Sequence, residues 1–140
     1  MNQISLILEK TFIRFLLVGV INTCVGLSAI FLFMNVIHWN YWTSTLLGNG
    51  VGAIVSFLLN RGITFNSKIS YLEGGIRFFM VVLSSYFVAY KCSEYAAKII
   101  FSSIYLSDFI SEKELAVLLG TGLYTILNYF GQKYVVFKKE

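Results

Sequence analysis

The residues from Phe15 to Ile37 form a run of 23 without a single charged side chain. At a helical rise of about 1.5 Å per residue, such a run crosses the ~30 Å hydrocarbon core of a bilayer. It is longer than the apolar core of a signal peptide, and HWNYW follows it in place of the small residues of a cleavage site. We therefore expect a retained transmembrane helix.

The rest of the chain is also apolar. Of its 140 residues, 57% are hydrophobic and only 13% are Asp, Glu, Lys or Arg, against about 25% charged residues in soluble domains. So few polar residues do not cover the surface of a water-soluble domain. We predict an all-α integral membrane bundle of four transmembrane helices, with spans at about 15–37, 41–59, 78–100 and 115–137 in one transmembrane domain over 1–140.

The basic residues predict how these spans are oriented, because Lys and Arg concentrate on the cytoplasmic side. One side of the predicted spans holds Lys10, Arg14, Arg61, Lys68, Arg77, Lys133, Lys138 and Lys139. On the other side, HWNYW has no Lys or Arg, and the loop near 101–114 has one Lys among three acidic residues. Both termini are therefore expected in the cytoplasm. The net charge of +4 is explained by topology and anionic lipid, and nucleic acid is not an expected partner.

A segment of the chain is repeated. Gly48–Phe65 (GNGVGAIVSFLLNRGITF) aligns without a gap on Gly120–Phe137 (GTGLYTILNYFGQKYVVF), and a weaker match joins RF at 14–15 to RF at 77–78. Each copy would contain two spans, so both copies would point the same way across the membrane. The pattern indicates a tandem duplicated helical hairpin, with units at about 12–65 and 75–138.

The repeat places a polar stripe on the second helix of each hairpin. The stripes consist of Asn49, Ala53, Ser56 and Asn60 in the first copy, and of Thr121, Thr125, Asn128 and Gln132 in the second. In the first span, Gly19, Asn22, Thr23, Gly26 and Ala29 share a face of small residues. Two interpretations stay open for these side chains: they hold helices together, or they line a path for a polar group.

The third predicted span contains Lys91, Glu94 and Lys98, on one side of a helix. Lys91 lies deep enough in the span to need a partner or a water-filled cavity, and a charge inside a membrane marks a candidate functional site. A structural pair between Lys91 and Glu94 at the outer interface is the alternative.

The sequence does not indicate a disulfide, a metal site or a catalytic site. Cys24 and Cys92 both fall inside predicted spans and His38 is the only histidine, so neither a disulfide nor a metal site is expected. Motifs for a phosphate loop, a nucleophile elbow or paired catalytic carboxylates are absent from the sequence. We expect no cofactor, no catalytic residue and no enzymatic activity.

Four segments, RFLLVGVINTCVG, SFLLNRGITF, RFF and NYFGQKYVVFKK, occur in this order within a small four-span chain. In this they resemble the GtrA-like family, over about residues 12–138. The resemblance implies a flippase that moves an undecaprenyl-phosphate-linked monosaccharide from the cytoplasmic to the outer leaflet, for glycosylation of cell-surface polysaccharide or teichoic acid. It also implies a multi-pass protein of the bacterial cytoplasmic membrane.

Such a substrate needs cations for its phosphate and amides or hydroxyls for its sugar. The candidate phosphate ligands are Arg14, Arg61, Arg77 and Lys133 at the inner surface, with Lys91 deeper or near the outer leaflet. The candidate sugar or path residues are Asn22, Asn49, Ser56, Asn60, Asn128, Gln132 and Glu94. In the second repeat Gly131-Gln132-Lys133 stands where the first has Leu59-Asn60-Arg61, which departs from an exact residue match.

Two other functions remain open. A non-transporting membrane anchor or assembly subunit of a glycosyltransferase would use the same small-residue faces and charged helix ends. A proton-coupled exporter would need Glu94 to exchange protons, although Lys91 and Lys98 favour its ionised form. The expected partners are a polyprenyl-phosphate sugar lipid and membrane glycosyltransferases. The sequence leaves open the sugar, the enzyme partner, any coupling ion and the presence of a homo-oligomer.

Overall fold

The computed structural model describes residues 2–103 and 109–138, without the side chains of Tyr41, Trp42 and Thr45. It contains four long helices: α1 (Gln3–Asn35), α2 (Tyr41–Leu59), α3 (Tyr71–Ser103) and α4 (Glu112–Gly131). Two five-residue π-helical turns, π1 (Asn60–Thr64) and π2 (Gln132–Val136), continue α2 and α4 directly. The described residues contain no β-strand, and the all-α prediction is confirmed.

Three helical stretches in the described part of the chain are long and apolar enough to cross a membrane: Gln3–Asn35, Leu46–Thr64 and Tyr71–Ser103. The fourth predicted span corresponds to α4 and π2. The chain is thus a multi-pass membrane protein with four long helices. Helix α1 begins 12 residues before the predicted span, because an apolar run marks only the part in lipid, whereas a helix continues through polar residues that favour it.

The chain divides into two units, Met1–Ile69 and Ser70–Glu140. In the first unit, α1 packs against α2 through glycines. A Cβ on Gly48 would meet the side chain of Ile30 and lie 2.8 Å from its backbone nitrogen, and one on Gly52 would lie 3.1 Å from the carbonyl oxygen of Asn22. The backbones of α1 and α2 therefore approach closely, as small residues allow in membrane helices.

The second unit repeats this arrangement with larger neighbours. A Cβ on Gly120, which aligns with Gly48, would lie 2.6 Å from the ring of Tyr90 and 2.8 Å from the Ser93 Oγ, both on α3. Near the other end of α4, a Cβ on Gly131 would lie 2.5 Å from Val81. Helices α3 and α4 thus pack along most of the length of α4.

The ends of the second helices nearest the hairpin loops are capped by side chains. The Asn40 side chain accepts a hydrogen bond from the Thr43 N–H, at 2.8 Å, where α2 begins. Ser111 and Glu114 form a reciprocal capping box at the start of α4. Hydrogen bonds from the backbone and side chain of Ser111 lower the pKa of Glu114, so this carboxylate stays ionised beside the N-terminus of the helix.

Candidate functional site

The two hairpins bury equivalent positions of α2–π1 and α4–π2. Six aligned pairs are buried in both copies: Gly48/Gly120, Ser56/Asn128, Phe57/Tyr129, Asn60/Gln132, Thr64/Val136 and Phe65/Phe137. On the first helices of the hairpins, Phe15/Phe78 and Val18/Val81 are buried in the same way. This agreement in burial is what a duplicated hairpin predicts.

The π-turns have the same backbone geometry in both units. The Phe65 N–H donates to the Asn60 carbonyl at 2.9 Å, and the Phe137 N–H donates to the Gln132 carbonyl at 2.8 Å. Each bond spans five residues and so widens the helix at that point, a feature frequent at functional sites. The first residue of each π-turn has a buried amide side chain: Asn60 is 1% exposed and Gln132 is 0% exposed.

In the first unit, this amide is hydrogen-bonded. The Asn60 Nδ2 donates to the Ser56 Oγ at 3.3 Å, and the Thr64 Oγ1 donates to the Asn60 Oδ1 at 2.7 Å. These bonds join successive turns of one helix face. The first polar cluster, Ser56–Asn60–Thr64, thus pairs both ends of its amide within the protein.

In the second unit, the corresponding atoms have no such partners. Both Nε2 and Oε1 of Gln132 and the Oδ1 of Asn128 are buried without a hydrogen-bond partner among the described residues. A buried polar group left in this state costs about 1–3 kcal/mol. Two sequence differences accompany this: Val136, at the position of Thr64, has no hydroxyl to donate to the Gln132 Oε1, and Asn128 stands where the first unit has Ser56.

A half-buried cation follows each buried amide. The Arg61 Nε donates to the Ile69 carbonyl at 2.8 Å, which holds the guanidinium against the end of the first unit. The Lys133 Nζ lies 5.8 Å from the Tyr129 ring centre and 5.4 Å from that of Tyr134. Within the described ranges, no carboxylate forms an ion pair with Lys133. In this described part of the chain, the charge of Lys133 therefore lies against two aromatic faces and not against a carboxylate.

Arg77 lies at the same end of the second unit as π2. Its guanidinium forms an ion pair with Glu73, and its Nη1 donates to the Val135 carbonyl at 3.3 Å. Both side chains of the ion pair are exposed. The structure thus brings two of the predicted phosphate ligands, Arg77 and Lys133, to one end of the second hairpin. The aligned residue in the first unit, Arg14, is exposed.

The charges of α3 form a chain of ion pairs. Lys91 and Lys98 each lie 3.7 Å from a different oxygen of Glu94, and their side chains are 76% and 58% exposed. Lys91 lies 14 residues beyond Arg77, which is about 21 Å along a helix and short of the ~30 Å hydrocarbon thickness. Glu94 is thus a carboxylate partner of Lys91 in the structure, as in the structural-pair alternative, and a role of Lys91 toward a substrate stays a prediction.

The remaining predicted path residues occupy varied environments. Asn22 is half-buried, and its backbone carbonyl oxygen lies close to Gly52. The Asn49 side chain is exposed. The hydroxyl groups of Thr121 and Thr125 bond to carbonyls one turn earlier in α4, at 2.8 and 2.9 Å. In each unit, the polar stripe is thus buried only in its last two turns. No group of three metal-ligating side chains occurs among the described residues.

Comparison with known proteins places the chain in a family. The family model described as the GtrA/DPMS transmembrane domain matches residues 14–137. The chain belongs to the GtrA/DPMS transmembrane domain family. Searches of curated proteins and of solved structures gave no significant match.

The GtrA/DPMS match includes both π-turns and every candidate site residue from Arg14 to Lys133. The resemblance predicted from four short segments is therefore confirmed, and membership connects this membrane protein with a family of polyprenyl-phosphate sugar translocation. Sequence reasoning missed the π-turns and the two tyrosines around Lys133. The spacing of Tyr129, Lys133 and Tyr134, four and one residues apart, was the available signal for the aromatic contacts.

Proposed function

We propose that this GtrA/DPMS protein is a flippase for an undecaprenyl-phosphate-linked monosaccharide, moving it from the cytoplasmic to the outer leaflet of a bacterial cytoplasmic membrane. The sugar then serves glycosylation of cell-surface polysaccharide or teichoic acid. One observation carries the proposal: Lys133, half-buried and with no ion-paired carboxylate in the described chain, directly follows the buried amide of Gln132. The cation can bind the phosphate, and the neighbouring amide can exchange hydrogen bonds with the hydroxyl groups of the attached sugar.

The phosphate binds first at the end of the hairpins predicted to face the cytoplasm. The ammonium group of Lys133 has three N–H donors, and contacts with two ring faces leave donors for phosphate oxygens. Arg77 lies nearby, and its exposed ion pair with Glu73 contributes little stability, so a phosphate can replace the carboxylate. Arg61 occupies the equivalent position in the first unit, and Arg14 adds positive charge at the same predicted surface.

The sugar follows side chains that exchange hydrogen bonds with hydroxyl groups. The amide groups available for this path are those of Asn22, Asn49, Asn128 and Gln132. The other two predicted path residues, Ser56 and Asn60, are hydrogen-bonded within the first polar cluster. The polyprenyl tail stays in the bilayer throughout. No covalent bond forms or breaks, so the protein acts as a transporter and not as an enzyme. In the absence of an ATP-binding motif in the sequence, consumption of the sugar outside or coupling to an ion drives net movement.

Lys91 receives the phosphate toward the outer leaflet in this proposal. Its side chain is largely exposed, and Glu94 contacts Lys98 as well as Lys91. We expect Lys91→Met to fold normally, because Glu94 keeps one cationic partner, but to lower the translocation rate about tenfold through loss of a charged hydrogen bond. Transport by purified protein in liposomes, with folded yield determined in parallel, measures both effects.

The double variant Lys91→Met with Glu94→Leu is the control for this prediction. If the two residues are structural partners only, the double variant transports normally while either single change reduces the amount of folded protein. Normal transport by a well-folded Lys91→Met protein would remove Lys91 from the path.

The proposed function is tested with liposomes that carry undecaprenyl-phosphate hexoses in both leaflets. Periodate, which does not cross the membrane, oxidises the sugars exposed outside. Protein-free vesicles should protect the inner half of the lipid, whereas vesicles with the wild-type chain should lose this protection. Protection equal to that in protein-free vesicles would contradict the proposal and favour an anchor or assembly subunit, which co-purification with a glycosyltransferase would then identify.

A further inference from the structure

The two hairpins share one backbone design but differ in how they satisfy their buried amides. In the first, the Thr64 hydroxyl reaches the Asn60 Oδ1 at 2.7 Å and the Ser56 Oγ accepts from the Asn60 Nδ2 at 3.3 Å. In the second, three amide atoms of Asn128 and Gln132 are buried with no hydrogen-bond partner among the described residues. The second hairpin thus holds buried hydrogen-bonding groups that an external partner can satisfy, whereas the first satisfies its own.

We propose that the two hairpins have different roles: the first polar cluster is structural, and Asn128 with Gln132 binds the hydroxyl groups of the sugar. This inference rests on the proposed function and assigns the sugar-recognising part of the path to the second hairpin. It also removes Ser56 and Asn60 from direct contact with the sugar, because both ends of the Asn60 amide and the accepting Ser56 Oγ already have partners in the protein.

The chemistry of the unpartnered atoms fits a sugar hydroxyl. The Gln132 Nε2 donates and its Oε1 accepts, while the Asn128 Oδ1 is a second acceptor. A hydroxyl group both donates and accepts, so a hydroxyl-bearing ring satisfies amide groups of both kinds. An inorganic anion would satisfy only the donor, and a cation only the acceptors. The donor set therefore favours a neutral polyhydroxyl group over an ion.

The order of residues along the turn places the phosphate beside this site. Gln132 is fully buried, whereas the next residue, Lys133, is half-buried and lies against two tyrosine rings. Successive side chains on a helix point about 100° apart. The amide thus faces the interior of the second unit while the ammonium group faces its margin, the arrangement required by a sugar whose phosphate remains attached to a lipid in the bilayer.

Helix α3 contacts residues on either side of Gln132 in the structure. Val81 lies against Gly131, and the Arg77 Nη1 donates to the Val135 carbonyl within π2 at 3.3 Å. Hydroxyl groups reach Gln132 when this part of α3 moves away from π2. A phosphate that takes Arg77 from the Val135 carbonyl removes one contact that holds the two together.

The reciprocal variants Val136→Thr and Thr64→Val test the inference, since valine and threonine have nearly the same shape. Val136→Thr gives Gln132 the hydroxyl donor that Asn60 already has, and Thr64→Val removes that donor from the first unit. A third variant, Gln132→Leu, removes the amide. Each protein is purified in nanodiscs, and its melting temperature is measured with its affinities for a panel of undecaprenyl-phosphate hexoses and for undecaprenyl phosphate without sugar.

We expect Val136→Thr and Gln132→Leu to melt at or above the wild-type temperature, because each removes an unsatisfied buried group. In both variants, the ratio of the affinity for the sugar-bearing lipid to that for undecaprenyl phosphate should fall about tenfold. The affinity for undecaprenyl phosphate itself should stay at the wild-type value. Thr64→Val should melt at a lower temperature and keep the wild-type preference for sugar.

Unchanged sugar preference in Val136→Thr and Gln132→Leu would overturn the inference, as would a lower melting temperature of Gln132→Leu, which would show that its amide has a structural partner. Equal affinity of the wild-type protein for both lipids would also overturn it. The proposed function would survive these results if periodate protection is still lost. Retained protection by a wild-type protein that binds neither lipid would instead overturn the proposed function.

Discussion

Gly48→Ala is expected to destabilise the protein by about 3 kcal/mol, the upper end of the range for overpacking a close contact. The added Cβ would meet the Ile30 side chain and lie 2.8 Å from the Ile30 nitrogen and 3.1 Å from the Gly26 carbonyl oxygen. Because two of these atoms belong to the backbone of α1, the strain is relieved only by moving one helix away from the other. Unfolding by a denaturing detergent, followed by tryptophan fluorescence, measures the change.

Gly50→Ala is the matched control, two residues away on the same helix. A Cβ at Gly50 would have no neighbour within 4 Å among the described residues. Alanine should therefore leave stability unchanged or raise it by up to ~1 kcal/mol through its helix propensity. Equal effects of the two substitutions would show that α1 and α2 do not meet at Gly48.

Lys133→Met is expected to weaken binding of undecaprenyl phosphate by about ten- to a hundredfold, the effect of losing a hydrogen bond to a charged group. The fold should persist, because methionine retains much of the apolar stem and, within the described part of the chain, no carboxylate loses an ion-pair partner. Titration of the labelled lipid into nanodiscs measures the affinity.

Lys138→Met separates a specific phosphate contact from general attraction to an anionic lipid. Lys138 lies five residues after Lys133, is exposed, and contributes the same charge to the net +4 of the chain. We expect Lys138→Met to change the affinity by less than about threefold, since an exposed charge at this distance is screened by salt. If both variants bind the lipid equally well, Lys133 is not a phosphate ligand.

Most of the fold was predictable from sequence, because lipid imposes simple rules on length and charge. The alignment of Gly48–Phe65 with Gly120–Phe137 identified the second helix of each hairpin, and the structure buries equivalent residues there. The same alignment did not distinguish Gly48 from Gly50, although only Gly48 has close neighbours of the two. Whether a matched glycine packs closely depends on the side of the helix that it occupies, and hence on where the partner helix lies.

The candidate site was predictable in composition but not in geometry. The repeat identifies the amides Asn60 and Gln132 and the cation that follows each of them. It does not identify the π-turns, because a shift of the backbone hydrogen bond by one residue leaves no pattern in the amino-acid composition. The Thr64/Val136 difference was visible in the alignment. Its consequence for hydrogen bonding is visible only in the structure, where the Thr64 hydroxyl donates to Asn60 and Gln132 has no equivalent donor among the described residues.

One comparison of two proteins tests whether a lipid-linked sugar is transported through a site that includes Lys133. The measurement is the rate at which sugars of the inner leaflet become accessible to external periodate, in liposomes with equal amounts of folded wild-type or Lys133→Met protein. We expect the wild-type protein to expose nearly all of the lipid and Lys133→Met to do so at least about tenfold more slowly. Equal rates for the two proteins, or wild-type vesicles that keep half of their lipid protected, would contradict this prediction.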